Sequence, residues 1–140
     1  MYTFIQKFHS GWAYVAILLL VIVVINALLG VLGKKTFTAK DRKIALFGLI
    51  ATHIQLLVGL ILYFVSPLGK AALGQMKDAN LRLTSLEHPL LNSIAIVLIT
   101  MGWSMHKKAG EDQKFKKILV FYGLGLLLIL ARIPWSSWLS

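Results

Sequence analysis

Residues 8–33 read FHSGWAYVAILLLVIVVINALLGVLG, a stretch that contains no Asp, Glu, Lys or Arg. A helix needs about 20 apolar residues to cross roughly 30 Å of hydrocarbon, because each residue advances it by about 1.5 Å. The stretch is therefore long enough to cross a bilayer. It is too long for the apolar region of a cleaved signal peptide and lacks a convincing small-residue cleavage site. We predict a retained transmembrane helix here.

Three more apolar stretches follow along the chain. Together with the first they predict four spans, at about 8–33, 44–67, 88–106 and 115–134, in a single domain of 140 residues. The fourth is short and becomes adequate only if it continues past Arg132 toward Trp135 and Trp138, since aromatic residues are typical of the membrane interface. A hydrophobic content of 58% also exceeds the usual balance of a soluble domain.

The basic residues predict the orientation of these spans. Ten of the fifteen Lys and Arg residues lie at 34–43 and 107–117, after the first and third spans. Cytoplasmic loops carry such an excess of basic residues. We therefore predict an up-down-up-down four-helix transmembrane bundle in the bacterial inner membrane, with both termini on its outer side. The net charge of +10 then reflects topology and anionic lipid headgroups rather than nucleic acid. In the longest outer connection, the pattern at 71–84 predicts a helix lying along the surface.

Several kinds of chemistry are excluded by composition. The chain has no cysteine, which removes disulfides, thiolate metal sites, iron–sulfur clusters and thiol nucleophiles. No phosphate loop, dinucleotide fingerprint or nucleophile elbow occurs, and there are five carboxylates in all. The sequence therefore assigns no hydrolytic or phosphoryl-transfer reaction and leaves open whether the protein is an enzyme.

Two histidines are predicted to lie at one depth in the membrane. Counted at about 1.5 Å per residue from the cytoplasmic ends of their spans, His9 lies at about 31 Å and His88 at about 26–28 Å. The first and third spans are diagonal in such a bundle, and bundle cores are where cofactor sites form. We therefore predict haem b, with His9 and His88 as the two axial ligands to the iron.

Polar neighbours extend the predicted haem site. Arg132, at a depth of about 22 Å, either neutralises a haem propionate or extends its guanidinium to the headgroups. Asn92 or Glu87 would orient the His88 imidazole through its second ring nitrogen. The small and polar stripe of Gly48, Thr52, Gln55 and Gly59 predicts a helix contact rather than a pocket.

Alternatives remain for each histidine. His9 and His88 are equally well read as polar residues tolerated at the interface, or with Glu87 as a copper or zinc site. His53, near the midplane, is predicted to hydrogen-bond Asn26 or a backbone carbonyl across the bundle, to lie near a quinone headgroup, or to be an alternative iron ligand. His106 is predicted to be solvated at the cytoplasmic rim.

Long segments of the chain also resemble a known family. HIQLLVGLILYF at 53–64 and EHP at 87–89 are the most specific parts of a likeness that covers most of the chain. The sequence resembles small bacterial four-helix membrane proteins loosely catalogued as cytochrome b. The resemblance implies a haem-binding or respiratory-chain-associated role carried by His9, His53 and His88, without saying which two bind iron.

Two functions from different classes follow as expectations. The first is a membrane-embedded b-type haem protein in quinone-linked respiratory electron transfer, with an outer-side redox partner. The second is a haem-free accessory or structural subunit that packs in a larger respiratory or transport complex, or in a homo-oligomer.

Overall fold

The computed structural model describes residues 2–135, which are mostly helical and contain no strand. In chain order the α-helices are α1 (Tyr2–Leu32), α2 (Ala39–Val65), α3 (Ala79–Arg82), α4 (His88–Lys108) and α5 (Lys114–Ala131). The short α3 joins α4 through a π-helical turn, Leu83–Glu87. The all-helical class predicted from the sequence is therefore confirmed for this part of the chain.

Three helical segments are long and apolar enough to cross a membrane: Tyr2–Leu32, Ala39–Val65 and Ala79–Lys108. The chain is thus a membrane protein by the length and composition of its helices. Helix α5 differs from these three segments because it has only 18 residues and opens with the sequence KFKK, which brings three lysines into its first turn.

The four long helices surround a common core. Helix α1 packs against α2 and α5, and α4 packs against the same two helices. Helices α1 and α4 therefore face each other diagonally, which is the placement that the sequence predicts for the first and third spans. We call the end of the bundle that holds His9 and His88 the histidine end, and the end that holds the loops 33–38 and 109–113 the lysine-rich end.

The lysine-rich half of the core is tightly packed. Leu20, Ile99 and Tyr122 are fully buried there, and the Tyr122 hydroxyl donates a hydrogen bond to the carbonyl of Ala45 at 2.9 Å. A Cβ added to Gly125 would lie 2.7 Å from a side-chain carbon of Ile99. Such close approach of helices through small residues is typical of packing in membranes.

The first lysine-rich loop is fixed to the bundle by a capping box. The Asp41 carboxylate accepts hydrogen bonds from the backbone N–H and the hydroxyl of Thr38, both at 2.8 Å, at the start of α2. It also accepts one from Asn26 Nδ2 of α1 at 3.0 Å. These bonds satisfy donors at the helix start and tie two helices together.

His106 is buried, so the prediction that it is solvated is wrong. Its ring lies 5.4 Å from that of Phe37 and 4.8 Å from that of Trp103, measured between centroids. Phe37 belongs to the loop between α1 and α2 and folds over the end of α4. On the other side of His106 lies Lys114, which is also buried and donates to the carbonyl of His106 at 2.8 Å. These contacts explain why His106 is buried.

Two elements predicted from the sequence have other bounds in the structure. The segment 71–84 is not one surface helix, since it contains part of a 3-10 turn (Lys70–Ala72), then turns, then α3. Helix α5 ends at Ala131, three residues before the predicted end, because Pro134 disfavours helical backbone at the preceding residue. Trp138 lies outside the described residues.

Candidate functional site: a cavity between two histidines

A cavity of about 240 Å³ lies at the histidine end of the bundle. Most of its wall is apolar, and small residues such as Ala13, Ala16 and Gly59 leave space within it. The polar side chains that line it include His9, Gln55, His88 and Asn92. An apolar cavity with a few convergent polar groups is the usual form of a site for a small molecule or cofactor.

His9 and His88 come together across this cavity. Their ring centroids lie 6.4 Å apart, and the ring planes are inclined at 80°. Two imidazoles on opposite sides of one iron, with metal–nitrogen bonds of about 2.0 Å, have centroids about 6 Å apart. The observed separation therefore matches the spacing that a single metal ion between the two rings requires.

The His88 ring is held in one tautomer by the end of α5. Its Nδ1 lies 2.9 Å from the backbone carbonyl oxygen of Arg132. A carbonyl oxygen only accepts, so Nδ1 carries the hydrogen and a neutral ring leaves Nε2 unprotonated. A backbone carbonyl on one ring nitrogen is the usual arrangement for a histidine whose other nitrogen binds a metal.

Asn92, one turn further along α4, also contacts this ring. Its Nδ2 is 3.1 Å from His88 Nε2 and 2.8 Å from Nδ1. A nitrogen that is almost equally far from both ring nitrogens cannot lie on the in-plane lone pair of Nε2, so the amide lies over the face of the His88 ring. The Nδ2 of Asn92 therefore does not occupy the direction in which the Nε2 lone pair points.

Helix α2 fixes the position of His9. The Gln55 amide donates to the backbone carbonyl of His9 at 2.8 Å, and the Trp12 indole donates to the carbonyl of Ala51 at 2.8 Å. One turn beyond Gln55, a Cβ added to Gly59 would lie 3.1 Å from Cε1 of His9. The imidazole can therefore lie against α2 because residue 59 has no side chain.

Three polar atoms around the cavity are buried without a hydrogen-bond partner. They are His9 Nδ1, Gln55 Oε1 and Asn92 Oδ1. Leaving a buried polar group unpaired costs about 1–3 kcal/mol, so such atoms are rare in folded proteins. Their concentration on residues that line one cavity points to a bound group that the cavity accommodates.

Glu87 and Arg132 pair with each other at the rim of this end. Glu87 lies 3.2 Å from Arg82 Nε and 3.7 Å from Arg132 Nε. Of the two residues predicted to orient His88, Asn92 contacts it and Glu87 does not. Within residues 2–135 no three His, Asp or Glu side chains form a metal-binding group.

His53 lies outside the cavity. It is exposed on α2, where its Nδ1 donates to the carbonyl of Leu49 on the same helix at 2.8 Å and its Nε2 is 3.4 Å from Thr100 Oγ1 of α4. Asn26 bonds Asp41, so the predicted bond between His53 and Asn26 is wrong. The carbonyl that His53 contacts is on its own helix rather than across the bundle.

The sequence reasoning missed Gln55 and Gly59 as site residues. The stripe to which they belong was predicted as a helix contact, and Gly48 fits that prediction, because a Cβ there would be 2.9 Å from Val23. Thr52, Gln55 and Gly59 line the cavity. Their helical spacing, one turn apart on the face of α2 opposite His53, is the signal that could have identified them.

A scan of protein-family models and searches of curated proteins and of solved structures each found no match to the chain. The class of protein is therefore defined by its fold and site alone: a helical membrane protein with two histidines facing one cavity.

Proposed function

We propose that this chain is a membrane-embedded b-type haem protein in which His9 and His88 are the axial ligands to the iron. The observation that carries the proposal is the 6.4 Å separation of the two imidazole centroids, on diagonal helices and beside one cavity. The unpartnered Nδ1 of His9 indicates that the imidazole lacks a partner within the protein.

His9 and His88 meet the requirement of this cofactor for two nitrogen ligands to the iron. His88 offers Nε2 as an unprotonated ligand, Gly59 leaves the space that the His9 ring occupies against α2, and the small residues Ala13 and Ala16 line the cavity. Bound haem supplies one-electron oxidation and reduction of iron. His9 and His88 would hold the iron on both sides, and haem held by two histidines would serve electron transfer rather than substrate binding.

Arg132 contributes to this site in two ways. Its backbone carbonyl orients His88, as described above. Its side chain is 49% exposed at the rim and pairs with Glu87 at 3.7 Å, which leaves the guanidinium within reach of solvent. A haem propionate would compete with Glu87 for this cation through charge-assisted hydrogen bonds.

In this proposal the four long helices cross the bacterial inner membrane in an up-down-up-down order with both termini outside. The lysine-rich end then faces the cytoplasm and the histidine end faces outward. The redox neighbours are the quinone pool of the membrane and an electron-transfer partner on the outer side.

Cysteine labelling tests this orientation, because the chain has no cysteine of its own. Gly74 and Lys35 lie in loops at opposite ends of the bundle, and Gly74 has no atom within 4 Å of an added Cβ. In spheroplasts, a membrane-impermeant maleimide should label the Gly74→Cys variant and should label Lys35→Cys only after lysis. The opposite pattern would reverse the proposed orientation.

An optical spectrum tests the haem itself. The full chain, purified in detergent and supplied with haemin, should bind one haem per chain and show a b-type α band in the reduced-minus-oxidised spectrum. The oxidised form should give the low-spin electron paramagnetic resonance signal of iron with two imidazole ligands. A folded, well-expressed sample that binds no haem would contradict the proposal.

One observation favours the accessory-subunit function as a second candidate. His53 and Thr100 form a polar pair on the outer surface of the bundle, and polar groups that face lipid are costly. A partner helix that covers them would remove this cost. Haem-free chain that co-purifies with a stoichiometric larger membrane protein, and does so unchanged when His9 and His88 are replaced by alanine, would establish this second function.

A further inference from the structure

The seam between α2 and α4 is the weakest side of the bundle. Of the four neighbouring helix pairs, this one has the sparsest contact. Within residues 2–135 its one cross-helix hydrogen bond is the long contact between His53 and Thr100, at 3.4 Å. By contrast, two hydrogen bonds of 2.8 Å close the α1–α2 seam. One is donated by the Trp12 indole and the other by the Gln55 amide.

The α4–α5 seam is also closed. A Cβ on Gly125 would lie 3.0 Å from the carbonyl oxygen of Ala95, and one on Gly102 would lie 2.7 Å from Phe121. At the histidine end, the bond from His88 to the Arg132 carbonyl joins α4 to the residue that follows α5. A flat molecule therefore meets close-packed backbone at this seam.

An open groove lies along the outside of the α2–α4 seam, next to the cavity. Leu60 and Tyr63 of α2, with Pro89 and Ser93 of α4, line both the groove and the cavity. The two spaces therefore share one wall, and this wall consists of side chains from both sides of the loosely packed seam.

The outer part of the groove matches a flat molecule with apolar faces and an acidic edge. Phe64 and Leu90 line it and are 65% and 51% exposed. Lys70 lies at its end, with Nζ 5.5 Å from the centroid of the Phe64 ring. Apolar walls with one cation at the end complement a porphyrin, which carries its two carboxylates on one edge.

We propose that haem reaches the cavity from the bilayer through the α2–α4 seam, with Phe64 and Leu90 flanking the mouth and Lys70 attracting the carboxylates. This inference rests on the proposed haem function. It explains why the contact between α2 and α4 is sparse, since these two helices must move apart for a rigid macrocycle to pass. The α1–α2 and α4–α5 seams, which the contacts above close, stay together during uptake.

A reversible cross-link across the seam tests this route. In the Phe64→Cys/Leu90→Cys variant, the two thiols are the only ones in the chain. A short bis-methanethiosulfonate linker would join them, and haemin uptake by the haem-free protein in nanodiscs would be followed by absorbance. We expect uptake at least about tenfold slower with the linker in place, and full recovery after a reducing agent cleaves it, since an extra barrier of 1.4 kcal/mol is already a tenfold change in rate.

Three controls separate the route from the site. Each single-cysteine variant treated with the linker should take up haem at the normal rate. The double variant loaded with haem before cross-linking should keep its b-type spectrum, which shows that the linker does not distort the cavity. Lys70→Gln should slow uptake, whereas Lys77→Gln, in the same outer connection, should not.

The outcomes distinguish the two proposals. Equal uptake rates with and without the linker, in protein that binds haem normally, would overturn the route and leave the haem function intact. Absence of haem in every variant and in the unmodified chain would overturn both.

Discussion

Replacing His88 with alanine should eliminate the b-type α band of the purified protein. The change removes the unprotonated nitrogen that our proposal assigns to the iron, and one imidazole would be left to hold it. Loss of a residue that merely orients a metal-binding histidine weakens metal affinity by about 10–100-fold, so loss of the ligand itself should weaken haem affinity by at least about a hundredfold. Titration with haemin, followed by absorbance, measures this change directly.

His53→Ala is the matched control. It removes a histidine of the same chain from the outer face of the bundle, away from the cavity. We expect it to retain haem with unchanged affinity, while His9→Ala should lose haem as His88→Ala does. Retention of haem by His88→Ala together with loss by His53→Ala would reassign the ligands and contradict the site. Circular dichroism of each variant would show whether the helices remain folded.

The second large effect is expected at Gly59. Even a methyl group at this position would lie 3.1 Å from Cε1 of His9, and the branched side chain of Gly59→Leu extends further into the cavity. The His9 ring must then move away from α2 and away from its alignment with His88. We expect haem affinity to fall at least about tenfold, since displacing a ligand ring by overpacking commonly costs about 1–3 kcal/mol.

Gly123→Leu provides the comparison for this effect. Gly123 is also a helical glycine, on α5, and an added Cβ there meets no atom within 4 Å. Both variants gain the same helix-forming side chain, so a difference in haem affinity between them isolates the contact with His9. Equal affinities in the two variants would show that the space beside His9 is not needed for haem binding.

The pairing of His9 with His88 could be predicted because helix rise is nearly constant. Counting residues from the charged ends of two helices gives the depth of each side chain, and the order of the helices gives the diagonal. Neither step requires side-chain packing, and the two rings do lie 6.4 Å apart.

Other features of the site depend on contacts that no local pattern contains. The burial of His106 requires Phe37, a loop residue nearly seventy positions away, to fold over it. The carbonyl that orients His88 belongs to Arg132, which the sequence reasoning considered only through its charge. Gln55 donates to a backbone oxygen of another helix, a partner that residue type alone does not indicate.

The point at which α5 stops has a chemical consequence. Arg132 adopts φ −129° and ψ 26°, outside helical values, two residues before Pro134. Carbonyls in the last turn of a helix have no partner within that helix, so the oxygen of Arg132 is available to another donor. It accepts its hydrogen from His88. A proline that ends one helix thereby selects which nitrogen of an imidazole on a neighbouring helix keeps its lone pair.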